Sequence, residues 1–131
     1  MIGIVLVAHS HLLAKGLRDM ATQMSRNMVK IAAAGGVDEE TIGTNAERIH
    51  QAIRDVFAPD GVLILVDLGS ALMSTQLAIE MLSPEQQPFV KLSNAPIVEG
   101  AIVAAVEASL GYSLAEVNAA AEAARDMEKI P

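Results

Sequence analysis

The chain has 131 residues, of which 52% are hydrophobic, so it is long enough to bury one good core and too apolar to be disordered. Nine basic against sixteen acidic residues give a formal charge of −7, which disfavours nucleic acid and anionic lipid as partners because both need a basic face. The lack of cysteine excludes disulfides and thiolate chemistry. The apolar N-terminal run is too short for a membrane span and lacks the features of a signal peptide. We therefore expect a cytoplasmic protein.

Strands and helices alternate in the first half of the chain. In chain order the pattern predicts a strand over residues 2–8, a helix over 11–26, a strand over 29–34, a polar loop over 37–44 and a helix ending near Phe57. The first run is continuously apolar and rich in β-branched residues, as in a strand buried on both faces of a parallel sheet. Gly35-Gly36 predicts a turn, and either Thr44 or Asn45 caps the helix that follows.

The same alternation continues in the second half. It predicts a strand over residues 62–66, a helix over 71–82, a strand over 89–92, a helix ending near Gly111 and a last helix after Ser113. The run VLILV at 62–66 is the clearest buried strand, and the turn at 59–61 precedes it. Ser113 with Glu116 three residues later predicts a capping box.

Alternating strands and helices are typical of βαβ units and a parallel sheet. We therefore expect an α/β fold, an open doubly wound, mostly parallel sheet of about four strands with helices on its faces. No repeat, low-complexity segment or linker interrupts the pattern, and residues 1–131 are interpreted as a single domain.

Two residues suited to chemistry stand where strands end. In an open α/β sheet, ligands bind outside the carboxyl ends of the strands, near the point where strand order reverses. His9 ends the first strand and Asp67 ends the third, whereas Gly35-Gly36 and Ser93-Asn94 follow the other two. If the first and third strands are neighbours, the side chains of His9 and Asp67 approach each other.

The residue types at these positions favour phosphoryl transfer. A neutral imidazole such as that of His9 is nucleophilic and carries a phosphoryl group on nitrogen. A carboxylate on its other ring nitrogen fixes the tautomer and stabilises the cationic ring formed during transfer. Gly69 and Ser70, at the start of a helix, offer backbone N–H groups and a hydroxyl to phosphate oxygens. The sequence therefore predicts a phosphotransfer site, with Asp67 as the residue that orients His9.

Each of these residues also has an ordinary structural interpretation. His9 could merely end a strand, Asp67 could cap the following helix, and Gly35-Gly36 needs no role beyond a tight turn. His11 is interpreted as a helix-start residue rather than a second ligand, and His50 as a helix residue at the surface. His9 and His11 are too few for a zinc site, so no metal is expected. No dinucleotide, Walker or nucleophile-elbow motif is present.

Five stretches resemble one known family in order and spacing. They are IVLVAHS at 4–10, AAGGVDE at 33–39, IGTNAERI at 42–49, VDLGSALMS at 66–74 and NAPIVEGA at 94–101. The sequence resembles the phosphotransferase subunits of phosphoenolpyruvate-dependent dihydroxyacetone kinases, relatives of the mannose-type enzyme IIA domains. This resemblance implies that His9 becomes phosphorylated and that Asp67 is the acidic residue beside it. It also implies that Ser10, Gly69 and Ser70 bind phosphate.

The resemblance also implies partners. The phosphorylated histidine-carrier protein of the sugar phosphotransferase system is the expected donor, and ADP on the kinase's nucleotide-binding subunit is the expected acceptor. The product ATP then phosphorylates dihydroxyacetone (glycerone), and no cofactor of the chain's own is expected. The family tends to be dimeric, and the Ala-rich later helices are a candidate face. Because the chain ends at Pro131, carrier-like domains that some relatives carry are expected on separate proteins.

Two alternatives remain open. One is a mannose-type enzyme IIA that supplies a sugar permease, and the other is a regulatory module of the same fold that binds a ligand without chemistry. Acid-labile, alkali-stable phosphorylation by the carrier protein is expected of a dihydroxyacetone kinase subunit and of a mannose-type enzyme IIA. It is not expected of a regulatory module.

Overall fold

The computed structural model describes residues 1–131 and contains four β-strands, each followed by an α-helix, and a fifth α-helix at the end. The strands are β1 (Gly3–Ala8), β2 (Ile31–Gly35), β3 (Val62–Val66) and β4 (Val90–Leu92). The helices are α1 (His11–Met24), α2 (Ala46–Val56), α3 (Leu72–Glu80), α4 (Ile97–Ser109) and α5 (Leu114–Ala123). None of these helices combines the length and the hydropathy required to cross a bilayer.

All four strands form one parallel sheet in the order β2-β1-β3-β4, which confirms the predicted fold class. Val7 near the end of β1 pairs with Ala34 on one side and with Val66 on the other. The first and third strands are thus neighbours, which is the condition for an approach of His9 and Asp67.

Side chains that alternate along β1 pack into two separate cores, one on each face of the sheet. Ile4 and Leu6 lie in a core shared with α1, α4 and α5. Val5 and Val7 lie in the other core, with α2 and α3. Burial on both faces explains why the β1 sequence is apolar at every position rather than at every second one.

The alanines of α4 belong to the first of these cores. Ala101, Ala104, Ala105 and Ala108 are fully buried within the monomer. These small side chains serve close packing inside the chain, so a dimer face on α4 would have to use its other side chains.

The predicted boundaries lie within about two residues of the observed ones, and several of the differences have local causes. Asn45 caps α2, and the Ser113–Glu116 capping box begins α5. The second strand begins at Ile31, two residues later than predicted, because Arg26 and Asn27 adopt left-handed backbone angles (φ 56° and 59°) that turn the chain after α1.

The third helix begins one residue late, because Gly69–Ala71 first form a single 3₁₀ turn. The fourth strand likewise begins one residue after the predicted start, because a 3₁₀ turn covers Gln87–Phe89.

Two glycines should respond to alanine in opposite ways. A Cβ on Gly3 would lie 2.1 Å from the Val56 carbonyl oxygen, so the backbone of β1 or α2 must move. We expect Gly3→Ala to lower the free energy of unfolding by about 1–3 kcal/mol. Gly16 is in the middle of α1 with no atom within 4 Å of a new Cβ, and Gly16→Ala should raise that free energy by about 0.5–1 kcal/mol. Urea unfolding of both variants tests the pair, and equal stabilities would contradict it.

Candidate functional site

The carboxyl ends of β1 and β3 bring His9 and Asp67 together. His9 directly follows β1 and Asp67 directly follows β3. The Asp67 N–H donates to the Val7 carbonyl at 3.0 Å, so the pairing of the two strands continues up to the site. Both side chains are partly exposed, His9 at 22% and Asp67 at 13%, which leaves the imidazole accessible.

The Asp67 carboxylate accepts hydrogen bonds from three N–H groups. Oδ2 accepts the backbone N–H of His9 at 2.9 Å, and Oδ1 lies 2.9 Å from Nδ1 of the same residue. Oδ1 also accepts the N–H of Leu68 at 2.8 Å. The carboxylate does not cap a helix, because the residue before the following 3₁₀ turn is Leu68 and no side chain caps that turn. The helix-cap interpretation of Asp67 is therefore wrong.

The two ring nitrogens of His9 have different partners. An ionised carboxylate only accepts hydrogen bonds, so Nδ1 beside Asp67 carries the proton. We infer that Nε2 then holds the free lone pair. Nε2 lies 2.9 Å from the Ser70 hydroxyl, which is therefore the donor in that hydrogen bond. The nitrogen that faces Ser70 is therefore the one without a proton.

Gly69 and Ser70 lie on an exposed turn beside the imidazole. Their backbone N–H groups have no acceptor within the protein. The space around Gly69 is open, with no atom within 4 Å of a Cβ built there. Together with the Ser70 hydroxyl, these N–H groups are donors with room for an anion next to His9.

Ser10 has a structural role. Its hydroxyl oxygen accepts the N–H of Leu13 at 3.3 Å and caps α1, so its oxygen is engaged in helix capping. Of the three residues predicted to bind phosphate, Gly69 and Ser70 lie beside the imidazole. Ser10 lies at the start of a helix.

The other two histidines stand apart from the His9–Asp67 pair. His11 is the first residue of α1, as predicted, and its Nδ1 accepts a hydrogen bond from the Arg48 guanidinium at 3.3 Å. The same guanidinium nitrogen donates to the Gly35 carbonyl at 3.1 Å, which links α2 to the end of β2. His50 lies in α2, as predicted, and is partly exposed.

A loop that the sequence did not connect to the site also contacts it. Residues 36–45 join β2 to α2, and the N–H of Gly43 donates to the His9 carbonyl at 2.8 Å. Thr44 and Ser74 share a hydroxyl–hydroxyl hydrogen bond of 2.8 Å, which attaches the same loop to α3. The loop therefore contacts both the backbone of His9 and the helix that follows Asp67.

Asp38 gives this loop its internal order. Its carboxylate accepts the N–H groups of Glu40 and Thr41 at 2.9 and 2.8 Å. These hydrogen bonds, first that from Glu40, hold the pKa of Asp38 below its usual value. The turn is therefore fully stabilised above the usual titration range of Asp and loses this stabilisation as pH falls through the lowered pKa. An Asp two residues after Gly36 was the available sequence signal for such a turn.

Comparison with known proteins gives consistent results. Residues 3–118 match the family model described as the PTS system fructose IIA component. The phosphoryl donor subunit DhaM of the PEP-dependent dihydroxyacetone kinase of Providencia stuartii is 42% identical over 120 residues, 89% of this chain. The chain spans only 25% of that protein's length. A DhaM subunit of Listeria innocua, from its kinase 2, is 38% identical over 113 residues, which cover 86% of this chain and 90% of that protein.

Solved structures support the same fold. The crystal structure of EF1359, a protein of unknown function, superposes with a TM-score of 0.86 at 31% identity and full coverage of both chains. The dihydroxyacetone kinase of C. freundii superposes with a TM-score of 0.58 at 18% identity over 92% of this chain and 24% of that one. At 18% identity the second likeness concerns the fold alone.

Proposed function

Since the chain belongs to the family of PTS fructose IIA components, we propose that residues 1–131 act as a single phosphocarrier domain that carries a phosphoryl group on His9. The names of the DhaM relatives direct the proposal to a PEP-dependent dihydroxyacetone kinase in the cytoplasm. The donor is the phosphorylated histidine-carrier protein, and the acceptor is ADP on the kinase's nucleotide-binding subunit. The observation that carries the proposal is the partly exposed His9 ring, held at Nδ1 by Asp67 with the Nε2 lone pair turned toward the Ser70 hydroxyl.

In the first step, the Nε2 lone pair of His9 attacks the phosphorus that the donor presents. A new N–P bond forms while the donor's N–P bond breaks, and that electron pair returns to the donor nitrogen. The His9 ring gains positive charge while Nδ1 keeps its proton, and the Asp67 carboxylate at 2.9 Å stabilises this charge. Asp67 therefore stabilises the phosphorylated ring more than the neutral one.

In the second step, a β-phosphate oxygen of ADP attacks the same phosphorus. The N–P bond to His9 breaks, its electron pair returns to Nε2, and ATP leaves with the nucleotide-binding subunit. The Ser70 hydroxyl and the free N–H groups of Gly69 and Ser70 can donate to the phosphoryl oxygens during both transfers. The domain ends the cycle with the neutral imidazole with which it began.

Reconstitution with purified components tests the proposal. The phosphorylated carrier protein should give an acid-labile, alkali-stable phosphoryl group on the chain, and addition of the nucleotide-binding subunit with ADP should remove it and yield ATP. Discharge to a sugar permease component instead would favour the mannose-type alternative. An absence of labelling would favour the regulatory module.

A homodimer is part of the same proposal, and it is supported by the resemblance to dimeric relatives rather than by the buried alanines of α4. Sedimentation equilibrium should give twice the 13.7 kDa chain mass. A concentration-independent mass of 13.7 kDa would contradict it.

Ser70→Ala should have a modest effect on transfer. The variant loses the donor to Nε2, which frees the nucleophile, but it also loses a donor to the phosphoryl oxygens. Since one neutral hydrogen bond contributes about 1 kcal/mol, we expect the transfer rate to fall by about 3- to 10-fold. Rapid-quench kinetics with Ser109→Ala as the matched control measure this, because the Ser109 hydroxyl bonds only to Val106 within α4. If Ser70→Ala lowered the transfer rate as much as His9 variants do, Ser70 would have a role beyond hydrogen bonding.

A further inference from the structure

We propose that Thr44 and Ser74 act together as positioning residues for His9, because their shared hydrogen bond joins the nucleophile to the turn that is to hold the phosphoryl group. We call the connection from Ser74 through Thr44 to Gly43 the latch. The inference rests on the proposed function, and it gives a role to residues 42–44 (IGT), which have no part in the chemistry described so far.

Both polar groups of the His9 backbone are held by tertiary hydrogen bonds. Its N–H donates to Oδ2 of Asp67 at 2.9 Å, and its carbonyl accepts the N–H of Gly43 at 2.8 Å. His9 itself lies in a bend between β1 and α1, so it belongs to neither a strand nor a helix. The position of the imidazole therefore depends on the two segments that carry Asp67 and Gly43.

Gly43 donates to His9 from an unusual backbone conformation. Its φ is 139°, a value that side chains other than glycine rarely adopt, and a Cβ there would lie 2.8 Å from Cγ2 of Val37. A loop in such a conformation needs surrounding contacts that hold it. The next residue supplies one, since the hydroxyl oxygens of Thr44 and Ser74 lie 2.8 Å apart and both side chains are partly buried.

The latch ends on the helix that follows the phosphate donors. Ser74 lies in α3, four residues and thus about one helical turn after Ser70. A continuous path therefore runs from the His9 carbonyl through Gly43, Thr44 and Ser74 to Ser70. It returns to His9 through the Ser70 hydroxyl, which lies 2.9 Å from Nε2. The nucleophile and its phosphate donors thus belong to one closed ring of contacts.

Phosphorylation opens this ring at one point. Once the Nε2 lone pair forms the N–P bond, it no longer accepts the Ser70 hydroxyl, which is then free to donate to a phosphoryl oxygen. The direct link between the imidazole and the turn is lost, and the latch and Asp67 remain to hold His9 in place. Because small displacements of a reacting group cost large factors in rate, the latch contributes most during the transfer itself.

Removal of single hydroxyl groups tests the latch. Thr44→Val and Ser74→Ala each break the hydrogen bond between the two side chains, whereas Thr44→Ser keeps it. Ser25→Ala is the matched control, because the Ser25 hydroxyl donates a hydrogen bond of 3.1 Å to the Thr22 carbonyl at the far end of α1, roughly 20 Å from His9. Each protein is labelled by the phosphorylated carrier protein over a range of concentrations and by phosphoramidate, a small phosphoryl donor.

We expect Thr44→Val and Ser74→Ala to lower kcat by about tenfold with both donors, with KM for the carrier protein within about twofold of wild type. Because both variants lose the same hydrogen bond, the double variant should also be about tenfold slower, rather than about 100-fold. Thr44→Ser and Ser25→Ala should keep kcat near that of wild type. Hydrogen exchange of the Gly43 amide, followed by NMR, should accelerate by about tenfold in Thr44→Val and Ser74→Ala, since its bond to His9 then opens more often.

The contrary outcomes are distinguishable. A wild-type kcat in Thr44→Val, or an equal fall in Ser25→Ala, would overturn the positioning role while leaving the phosphocarrier function intact. An additive loss in the double variant would mean that the two hydroxyls act separately, and a rise in KM at unchanged kcat would mean that they serve partner binding instead. If neither donor labels wild-type protein, the proposed function itself fails, and the role of the latch with it.

Discussion

His9→Ala should abolish phosphorylation by the carrier protein while the fold remains cooperative. The variant removes the nitrogen that faces Ser70, and no other imidazole replaces it, because His11 is engaged with Arg48. Asp67 keeps hydrogen bonds from the backbone N–H groups of His9 and Leu68, so no carboxylate is left without a partner. We expect a stability loss of only about 1–2 kcal/mol from the missing ring contact.

Radiolabel transfer and thermal melting on the same sample measure both parts of this prediction. His11→Ala and His50→Ala are the controls, since both remove an imidazole without touching the His9–Asp67 pair, and both should be labelled normally. Undiminished labelling of His9→Ala would exclude His9 as the phosphoryl carrier and direct attention to His11.

Asp67→Asn should slow phosphoryl transfer by about 10²-fold or more. The positive charge on the phosphorylated ring loses its counter-charge, and removal of the corresponding carboxylate in a serine-protease triad costs about 10⁴ in kcat. Geometry adds a second penalty. The Asn amide nitrogen must replace either Oδ2, which faces the backbone N–H of His9, or Oδ1, which faces Nδ1 and the N–H of Leu68. Each orientation sets a donor against a donor, so the Asn side chain and the imidazole cannot keep the wild-type arrangement.

Single-turnover kinetics and urea unfolding separate these two effects. We expect unfolding to remain cooperative with a stability loss of about 1–3 kcal/mol, while transfer falls far more than that loss of folded protein explains. Asp60→Asn is the matched control, because Asp60 pairs only with the N-terminal ammonium group at an exposed position. Near-normal transfer in Asp67→Asn would show that another group orients His9.

The fold was largely predictable because the β-strand sequences are unambiguous. Continuous aliphatic runs such as residues 62–66 indicate a strand covered on both faces, and alternation with helices then restricts the sheet to a parallel one. The start of β2 was not predictable, because Val29 is as apolar and nearly as buried as a strand residue but precedes the strand. The left-handed turn at Arg26 and Asn27 that delays the strand has no glycine to mark it.

The candidate site was predictable only where chain order determines position. His9 and Asp67 end strands, so the topological rule for parallel sheets predicts that they approach each other once β1 and β3 are known to be neighbours. The contact of Gly43 with His9 depends on the path of a ten-residue loop, which local sequence does not determine. Whether Ser70 or Ser10 faces the imidazole depends on side-chain directions within single turns, and sequence spacing alone does not distinguish them.

The two hydrogen bonds to the His9 ring also bear on which isomer of phosphohistidine the domain makes. A 180° flip of the imidazole would set ring carbons against Asp67 and Ser70 and would lose both bonds at once. At about 1–3 kcal/mol for each bond, the flipped ring is at most a minor species in the free protein. The proposed phosphorylation is therefore regiospecific, and phosphorus NMR of the labelled protein should give one resonance, that of the Nε2 isomer.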